Sequence, residues 1–341
     1  MNIRKNTLRL YASAKAVITL YLALPGNSRI EHVIMRLDLL NENEVDDLMN
    51  RIMQEFGGRH RNIKQIFLSH ASRTEEKYGR SLSHLPAEKR LLLGAFFTKE
   101  YSIEAAALFN PSVVPHPDQS QLNPGEKRFV MSLRATGEGH ISSIVFHTGT
   151  VDLQGNITLD PSSGYYDCLQ KKTDALYEKN FILNYAGSIP GFKTSILDIL
   201  PDSFTESQAK KILTSSPGID QTMVYTARIL EEFMDMNYEL DSSAPVNINE
   251  QVLFPTAGGE SMGMEDVRFV KFEDASQVCY YGTYTAYNGK QIRTQLIETN
   301  DFKRYRVRTL NGPAISDKGM ALFPEKVNGK YVMISRQGGE N

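Results

Sequence analysis

Apolar positions along the chain change rhythm at about residue 105. Before it they recur every three or four residues: Val45, Leu48, Met49, Ile52, Met53 and Phe56 fall on one face of a helix, because a turn takes 3.6 residues. Asn41 precedes that run with Glu44 three positions on, a capping pair in which the carboxylate returns to the cap's own N–H. Gly57-Gly58 should end the helix, since glycine takes the left-handed conformation at little cost. A second helix is expected from about Pro86 to Phe97. The earlier apolar run over 16–25 is too short to span a bilayer and reads as a strand.

From Phe109 onward short β runs alternate with turns, over 128–134, 142–147, 267–272, 278–287, 292–299 and 331–336. Asn288-Gly289 and Asn328-Gly329 separate such runs, and this dipeptide tolerates the positive φ angles of a two-residue hairpin turn. Runs 128–134 and 330–336 match nearly position for position and end in Arg134 and Arg336. Asn110-Pro111, Asp266-Val267 and Phe323-Pro324 each open a segment that leads to a β-rich strand. Repeated four-stranded units of about 40–50 residues are the mark of propeller blades. Helical periodicity returns between about 165 and 243. Ser203-Phe204-Thr205-Glu206 has the form of a capping box, and Met223, Ala227, Leu230, Phe233 and Met234 share one side of a helix from about 221 to 236. The pattern predicts a mainly β fold of β-propeller type over 106–341, interrupted by a helical insertion at about 165–243 and preceded by a mostly helical region over 1–105. The insertion would pack over the β part or against a partner chain, so a homo-oligomer is compatible with it.

Composition narrows the function classes. With 341 residues, 41% hydrophobic, 23% charged and a formal net charge of −2, the chain is an ordinary globular protein without the basic excess that nucleic acid requires. Cys168 and Cys279 lie far apart and form neither a disulfide framework nor a zinc motif. The seven histidines show no metal-ligand spacing, so no metal site is expected. No membrane span is expected, and a cytoplasmic location is the default. Tryptophan is absent, which leaves Tyr281, Tyr284 and Tyr287 as the stacking faces for a sugar.

Candidate chemistry concentrates at Glu265-Asp266-Val267-Arg268. Neighbours in a regular strand face opposite ways, so one carboxylate would meet the substrate while the other holds a neighbouring loop or a sugar hydroxyl. Arg268 should then lie on the side of Asp266, where it would favour the ionised carboxylate. Two readings stand open: a proton-handling carboxyl, or a structural Asp–Arg pair at a strand end. The stretch from Arg134 to His140 is a glycine-loosened turn that suits a hydroxyl-rich ligand, because glycine lets the backbone approach closely. Lys318, on a turn before an apolar segment, would form a cationic pocket for a phosphate-sized anion with Arg293 and Arg336. Arg59-His60-Arg61 reads as a solvated helix end, where cations suit the dipole, with an anion site as the alternative.

Together, Phe109 to Ser112, Ser132 to Ser143, Gly263 to Arg268, Tyr284 to Gly289 and Lys318 to Glu325 resemble the motifs of glycoside hydrolase family 130. These are the β-mannoside phosphorylases and related mannosidases, built on a five-bladed β-propeller, and the resemblance runs from about Phe109 to the end. The family's Glu-Asp-Pro-Arg motif is matched by Glu265-Asp266-Val267-Arg268, with valine in place of proline. The resemblance implies that Asp266 is the general acid, its proton passing through a hydroxyl of the bound mannose, and that Arg268 orients it or the sugar. It places Asn110 and Arg134 on the mannosyl unit, beside Glu265 and Tyr284, and Lys318 on phosphate, with Arg293 and Arg336 in the same pocket. Phosphate would attack the anomeric carbon from the opposite face with inversion, giving α-mannose 1-phosphate. The implied partners are a β-mannoside or related oligosaccharide and inorganic phosphate as co-substrate, with no cofactor, nucleic acid or membrane. A β-mannoside hydrolase of the same fold, and a non-catalytic sugar-binding or assembly propeller, are the alternatives; retention of Lys318 leans toward phosphorolysis. Five blades and an insertion need more sequence than follows Asn110, so the propeller is expected to be incomplete, lacking its C-terminal blades.

Overall fold

The computed structural model describes residues 6–337 apart from 174, 188, 216–220, 243–245, 275–276, 313 and 316–317. Its first third contains β1 (Val17–Tyr21), α1 (Asn27–Leu39), α2 (Glu42–Phe56), α3 (Ile63–Tyr78), α4 (Ala87–Phe96) and β2 (Thr98–Ser102). The cap of α2 forms as its sequence requires: Glu44 N donates to Asn41 Oδ1 at 3.1 Å and Asn41 N to Glu44 Oε2 at 2.8 Å. Leu48, Met49 and Ile52 then lie against a cluster that includes Ile30, Leu37, Leu92, Leu93 and Phe97. Gly57 does not take the left-handed conformation; its φ is −59° and the chain tightens into a 3-10 turn. Arg59 donates to the Glu55 carbonyl at 2.9 Å, so a cation meets the helix end in place of a glycine cap. Helices α3 and α4 touch at Gly94, where a Cβ would lie 1.7 Å from the Phe67 carbonyl oxygen.

In the basic cluster after α2, Arg59 stays exposed at the helix end as expected, but His60 and Arg61 are built into ion pairs. His60 is buried, with Nε2 2.7 Å from Glu100 Oε1, and Arg59 reaches Glu100 Oε2 at 3.1 Å. Arg61 pairs with Glu250 at 2.8 Å and Asp167 at 3.2 Å. Glu100 holds Arg59 and His60 to β2, while Glu250 and Asp167 let Arg61 tie the helical region to the β part.

β3 (Ala107–Pro115), β4 (Lys127–Thr136), β5 (Ser142–Val151) and the short β6 (Ile157–Leu159) form a first antiparallel meander. β4 is buried on both faces: Phe129, Met131 and Leu133 join a cluster with Ile18 and Tyr101, while Val130 joins the larger one with Phe146, Val267, Tyr280 and Phe302. After it come β7 (Asp167–Cys168), β8 (Gln170–Lys171), β9 (Leu176–Glu178), α5 (Lys179–Ala186), β10 (Ser203–Thr205), α6 (Glu206–Ser215), α7 (Gln221–Met236) and β11 (Glu239–Asp241). This stretch has its own core of Ile182, Phe204, Leu213, Leu230, Phe233 and Met234. Its capping box is shifted from the expected place. Ser203 is in a strand paired with Glu178, and Thr205 and Gln208 exchange the capping bonds at 2.9 and 3.2 Å. Ser243, at the expected outer edge of the insertion, lies outside the described residues.

β12 (Gln251–Leu253) pairs with β5 and β7. The second meander is β13 (Gly263–Asp274), β14 (Gln277–Tyr287), β15 (Ile292–Thr299) and β16 (Tyr305–Thr309), followed by the two-stranded β17 (Met320–Leu322) and β18 (Met333–Ser335). The two meanders meet at one parallel pair, Gly263 with Ser142. A Cβ on Gly263 would lie 2.9 Å from that of Ser142, so the junction requires glycine. The large sheet runs as an open path, β3-β4-β5-β13-β14-β15-β16-β11-β8, and no closed ring of strands is present among the described residues. The fold is thus mainly β with helices.

The two Asn-Gly turns differ. Asn328 and Gly329 both have positive φ, and Val327 and Lys330 exchange backbone bonds at 3.0 and 3.1 Å, the expected two-residue turn. Asn288 instead starts a four-residue loop, its Oδ1 accepting from Lys290 N and Gln291 N at 3.0 and 2.7 Å. There the side chain takes over the turn. Among the described residues no helix is long and apolar enough to cross a membrane.

Candidate active site

The first strand of each meander carries a bulge at the same place. Pairing slips between Phe109 and Ser112 in β3 and between Glu265 and Arg268 in β13. Asn110 (φ 53°) and Asp266 (φ 54°) occupy the slips in the left-handed region, which Asn and Asp tolerate best after glycine. The bulges lie side by side: Asn110 Nδ2 donates to Asp266 Oδ1 at 2.5 Å, Arg268 Nη1 to Asn110 O at 3.1 Å, and Phe269 N to Ser112 Oγ at 3.0 Å.

A bulge suspends strand alternation, and this overturns the expectation that Glu265 and Asp266 face apart. Both reach Arg134 of β4, Glu265 Oε1 at 2.7 Å and Asp266 Oδ1 at 3.3 Å. Arg134 Nε also donates to Ser142 Oγ at 2.9 Å, and its guanidinium lies over the Phe109 ring. The cation beside Asp266 is therefore Arg134. Arg268 is exposed and bonds backbone carbonyls.

Asp266, Arg268, Lys318 and Arg336 line one cavity of about 230 Å³ with Thr283 and Thr285. Thr283 Oγ1 donates to Met320 O at 2.6 Å, which ties β17 to β14, and Arg336 N donates to Gly319 O at 3.1 Å. Lys318 and Arg336 thus enter the cavity together. Arg336 Nε is buried with no hydrogen-bond partner among the described residues. One carboxylate set among three cations, with threonine hydroxyls beside it, suits an anion next to a polyol.

Two expected members lie elsewhere. Arg293 precedes Thr294 of the cavity wall, and alternation along β15 turns it away. It meets Glu232 of α7 at 3.4 Å and Gln291 at 3.3 Å, apart from Lys318 and Arg336. Tyr284 borders the cavity but is only 2% exposed, so its ring offers no stacking face. Its hydroxyl donates to Glu260 Oε2 at 2.8 Å, and Tyr238 donates to Oε1 at 2.6 Å. Thr256 N and Ala257 N also donate to Oε1. Burial pushes the Glu260 carboxyl above the usual carboxylate range. Sequence reading missed Glu260, whose place after Gly258-Gly259 gives it the look of a solvated turn residue.

Of the glycine-loosened turn only Arg134 joins the site; Glu138 and His140 are exposed. Ser316 and Asp317, just before Lys318, lie outside the described residues. Among the described residues no group of three or more His, Cys, Asp or Glu side chains is placed to hold a metal ion.

Residues 222–340 match the model of glycoside hydrolase family 130, described as beta-1,4-mannooligosaccharide phosphorylase. The matched part carries Glu265, Asp266, Arg268, Lys318 and Arg336 and leaves Asn110 and Arg134 outside. The family assignment read from the motifs is supported. No curated protein matches the chain. Similar solved structures include a putative glycosidase from Bacteroides thetaiotaomicron, 13% identical with a TM-score of 0.25, covering 61% of this chain and 34% of that one. A putative glycoside hydrolase from Parabacteroides distasonis is 15% identical with a TM-score of 0.31, covering 69% and 46%. A beta-1,2-mannobiose phosphorylase from Listeria innocua is 15% identical with a TM-score of 0.23, covering 67% and 54%. The chain thus spans about a third to a half of the length of these structures.

Proposed function

We propose that the Asp266 cavity belongs to an inverting β-mannoside phosphorylase. The observation that carries this reading is the shared lining of one cavity by Asp266, Arg268, Lys318 and Arg336. The family match over 222–340 supports it. In this reading β3–β6, β13–β16 and the start at β17–β18 are successive blades of a five-bladed propeller, and the paired bulges of β3 and β13 face its channel.

Asp266 is the general acid. Asn110 and Arg134 occupy Oδ1, which leaves Oδ2 as the oxygen through which the acid would hand on its proton. That proton goes to a hydroxyl of the bound mannose, which in turn protonates the leaving glycosidic oxygen. Phosphate, held by Lys318 and Arg336, forms the new bond to the anomeric carbon from the opposite face as the old C–O bond breaks. Glu265 acts by holding Arg134, and Arg268 orients the sugar. The products are α-mannose 1-phosphate and the shortened acceptor.

The test is release of mannose 1-phosphate from β-mannosides with and without phosphate. Asp266→Asn keeps a residue that tolerates positive φ, and it should lower turnover by roughly 10²–10⁴, the range for loss of a general acid. Turnover indifferent to phosphate would replace phosphorolysis by hydrolysis. Sugar binding without turnover in the unmodified protein would leave a binding module.

A further inference from the structure

The helical insertion lines a cleft next to the Asp266 cavity. Thr294 belongs to the wall of that cavity and also to the wall of a neighbouring cleft of about 470 Å³. On one side of this cleft stand Tyr185 and Ile189 from the insertion. On the other stand Ile292, Arg293, Thr309 and Leu310 from the second meander. Arg293 is the cation that sequence reading had placed with the phosphate groups, and its position here has its own logic.

The Tyr185 ring packs on Phe233 with 4.5 Å between centroids, so the core of the insertion holds it in place. Arg293 pairs with Glu232 of α7. That carboxylate offsets its charge, which makes the cleft a poor site for a free anion. What remains is an aromatic ring and aliphatic walls beside a guanidinium–carboxylate pair and threonine hydroxyls. Such a combination fits a pyranose ring, whose C–H face packs on an aromatic and whose hydroxyls bond charged groups. Size points the same way. The Asp266 cavity alone is smaller than the roughly 300–1,000 Å³ of ligand pockets, and the larger cleft beside it, with Thr294 in both walls, offers the room for a second sugar.

We infer that the insertion builds a second sugar subsite, in which Tyr185 and Arg293 bind the leaving pyranose unit of a β-linked oligosaccharide while the mannosyl unit lies at Asp266. This rests on the reading of the Asp266 cavity given above. In function the insertion is a specificity element: it selects longer substrates over mannosides with small leaving groups.

The test is calorimetric binding of mannose and of an S-linked β-mannobiose, which cannot be cleaved, to the full chain in phosphate-free buffer. The disaccharide should bind roughly tenfold more tightly than mannose, about 1.4 kcal/mol. Tyr185→Ala and Arg293→Ala should each abolish that advantage and leave mannose binding unchanged. Tyr185→Phe, which keeps the packing on Phe233, should retain it. Equal binding of the two sugars, or an advantage that survives both alanine variants, overturns the subsite and leaves the Asp266 reading standing. Failure of the unmodified chain to bind either sugar overturns both.

Discussion

Replacing Arg134 with methionine removes the charge that two adjacent carboxylates share while keeping an aliphatic stem over Phe109. The Arg134 and Glu265 side chains are 19% and 18% exposed and meet at 2.7 Å; a hydrogen bond to a charged group in such a setting contributes about 1.5–3 kcal/mol. The 3.3 Å contact to Asp266, itself 40% exposed, falls nearer the surface range of about 0.2–1 kcal/mol. The bond to Ser142 adds about 1 kcal/mol. Because the three act through one side chain they do not simply add, and a loss of about 3 kcal/mol is expected. Urea unfolding of Arg134→Met, Glu265→Gln and the double variant measures it, and the two single changes should show a coupling of about 1.5 kcal/mol or more. A single-variant loss or a coupling below about 0.5 kcal/mol would refute the reasoning. The ion pair would then be no stronger than a surface bridge, and the bulge would be held by its backbone alone.

Two further outcomes follow from local geometry and burial. At Asn110, valine should cost about 2–3 kcal/mol, from a left-handed backbone unsuited to a branched side chain and the lost bond to Asp266. Glycine should lose only the bond; equal losses by thermal unfolding would show that φ there is immaterial. Burial, and then the nearby Arg73, lowers the His70 pKa to about 4, and its Nδ1 lies 2.7 Å from Thr98 Oγ1. A depressed folded-state pKa means that the unfolded chain binds the extra proton, so stability should fall as pH drops from about 6.5 towards 4 and be unaffected above that window. The change is at most about 3 kcal/mol and less where the ring still meets water. His70→Gln should flatten that part of the pH profile of urea unfolding, and an unchanged slope would refute the assignment.

Some of this protein is written in local sequence. The cap of α2, the turn at Asn328-Gly329, the apolar stripe of α7 and strands β13 to β15 each depend on partners within a few residues or on one repeating period. The chemistry-bearing motif was equally legible: Asp266, Arg268, Lys318 and Arg336 were named from residue type and resemblance, and they line one cavity. Their partners were not legible. Strand alternation made Arg268 the ion partner of Asp266, a place that Arg134 takes; residue type and resemblance set Arg293 with Lys318 and the Tyr284 ring against a sugar, and the folded chain does neither.

The reason lies in the distance along the chain at which each interaction closes. A cap or a two-residue turn closes within three or four residues, so residue identity and spacing decide it. Arg134 reaches Glu265 across 131 residues, Asn110 reaches Asp266 across 156 and Arg268 reaches Asn110 across 158. The left-handed bulges that redirect both carboxylates are stable because two strands from different meanders present them to one another. Sequence alone determined which groups carry charge and where several of the long strands run. Only the packing of one meander against the other decided which charges meet, since a single residue slipped into a bulge reverses the face of everything beyond it.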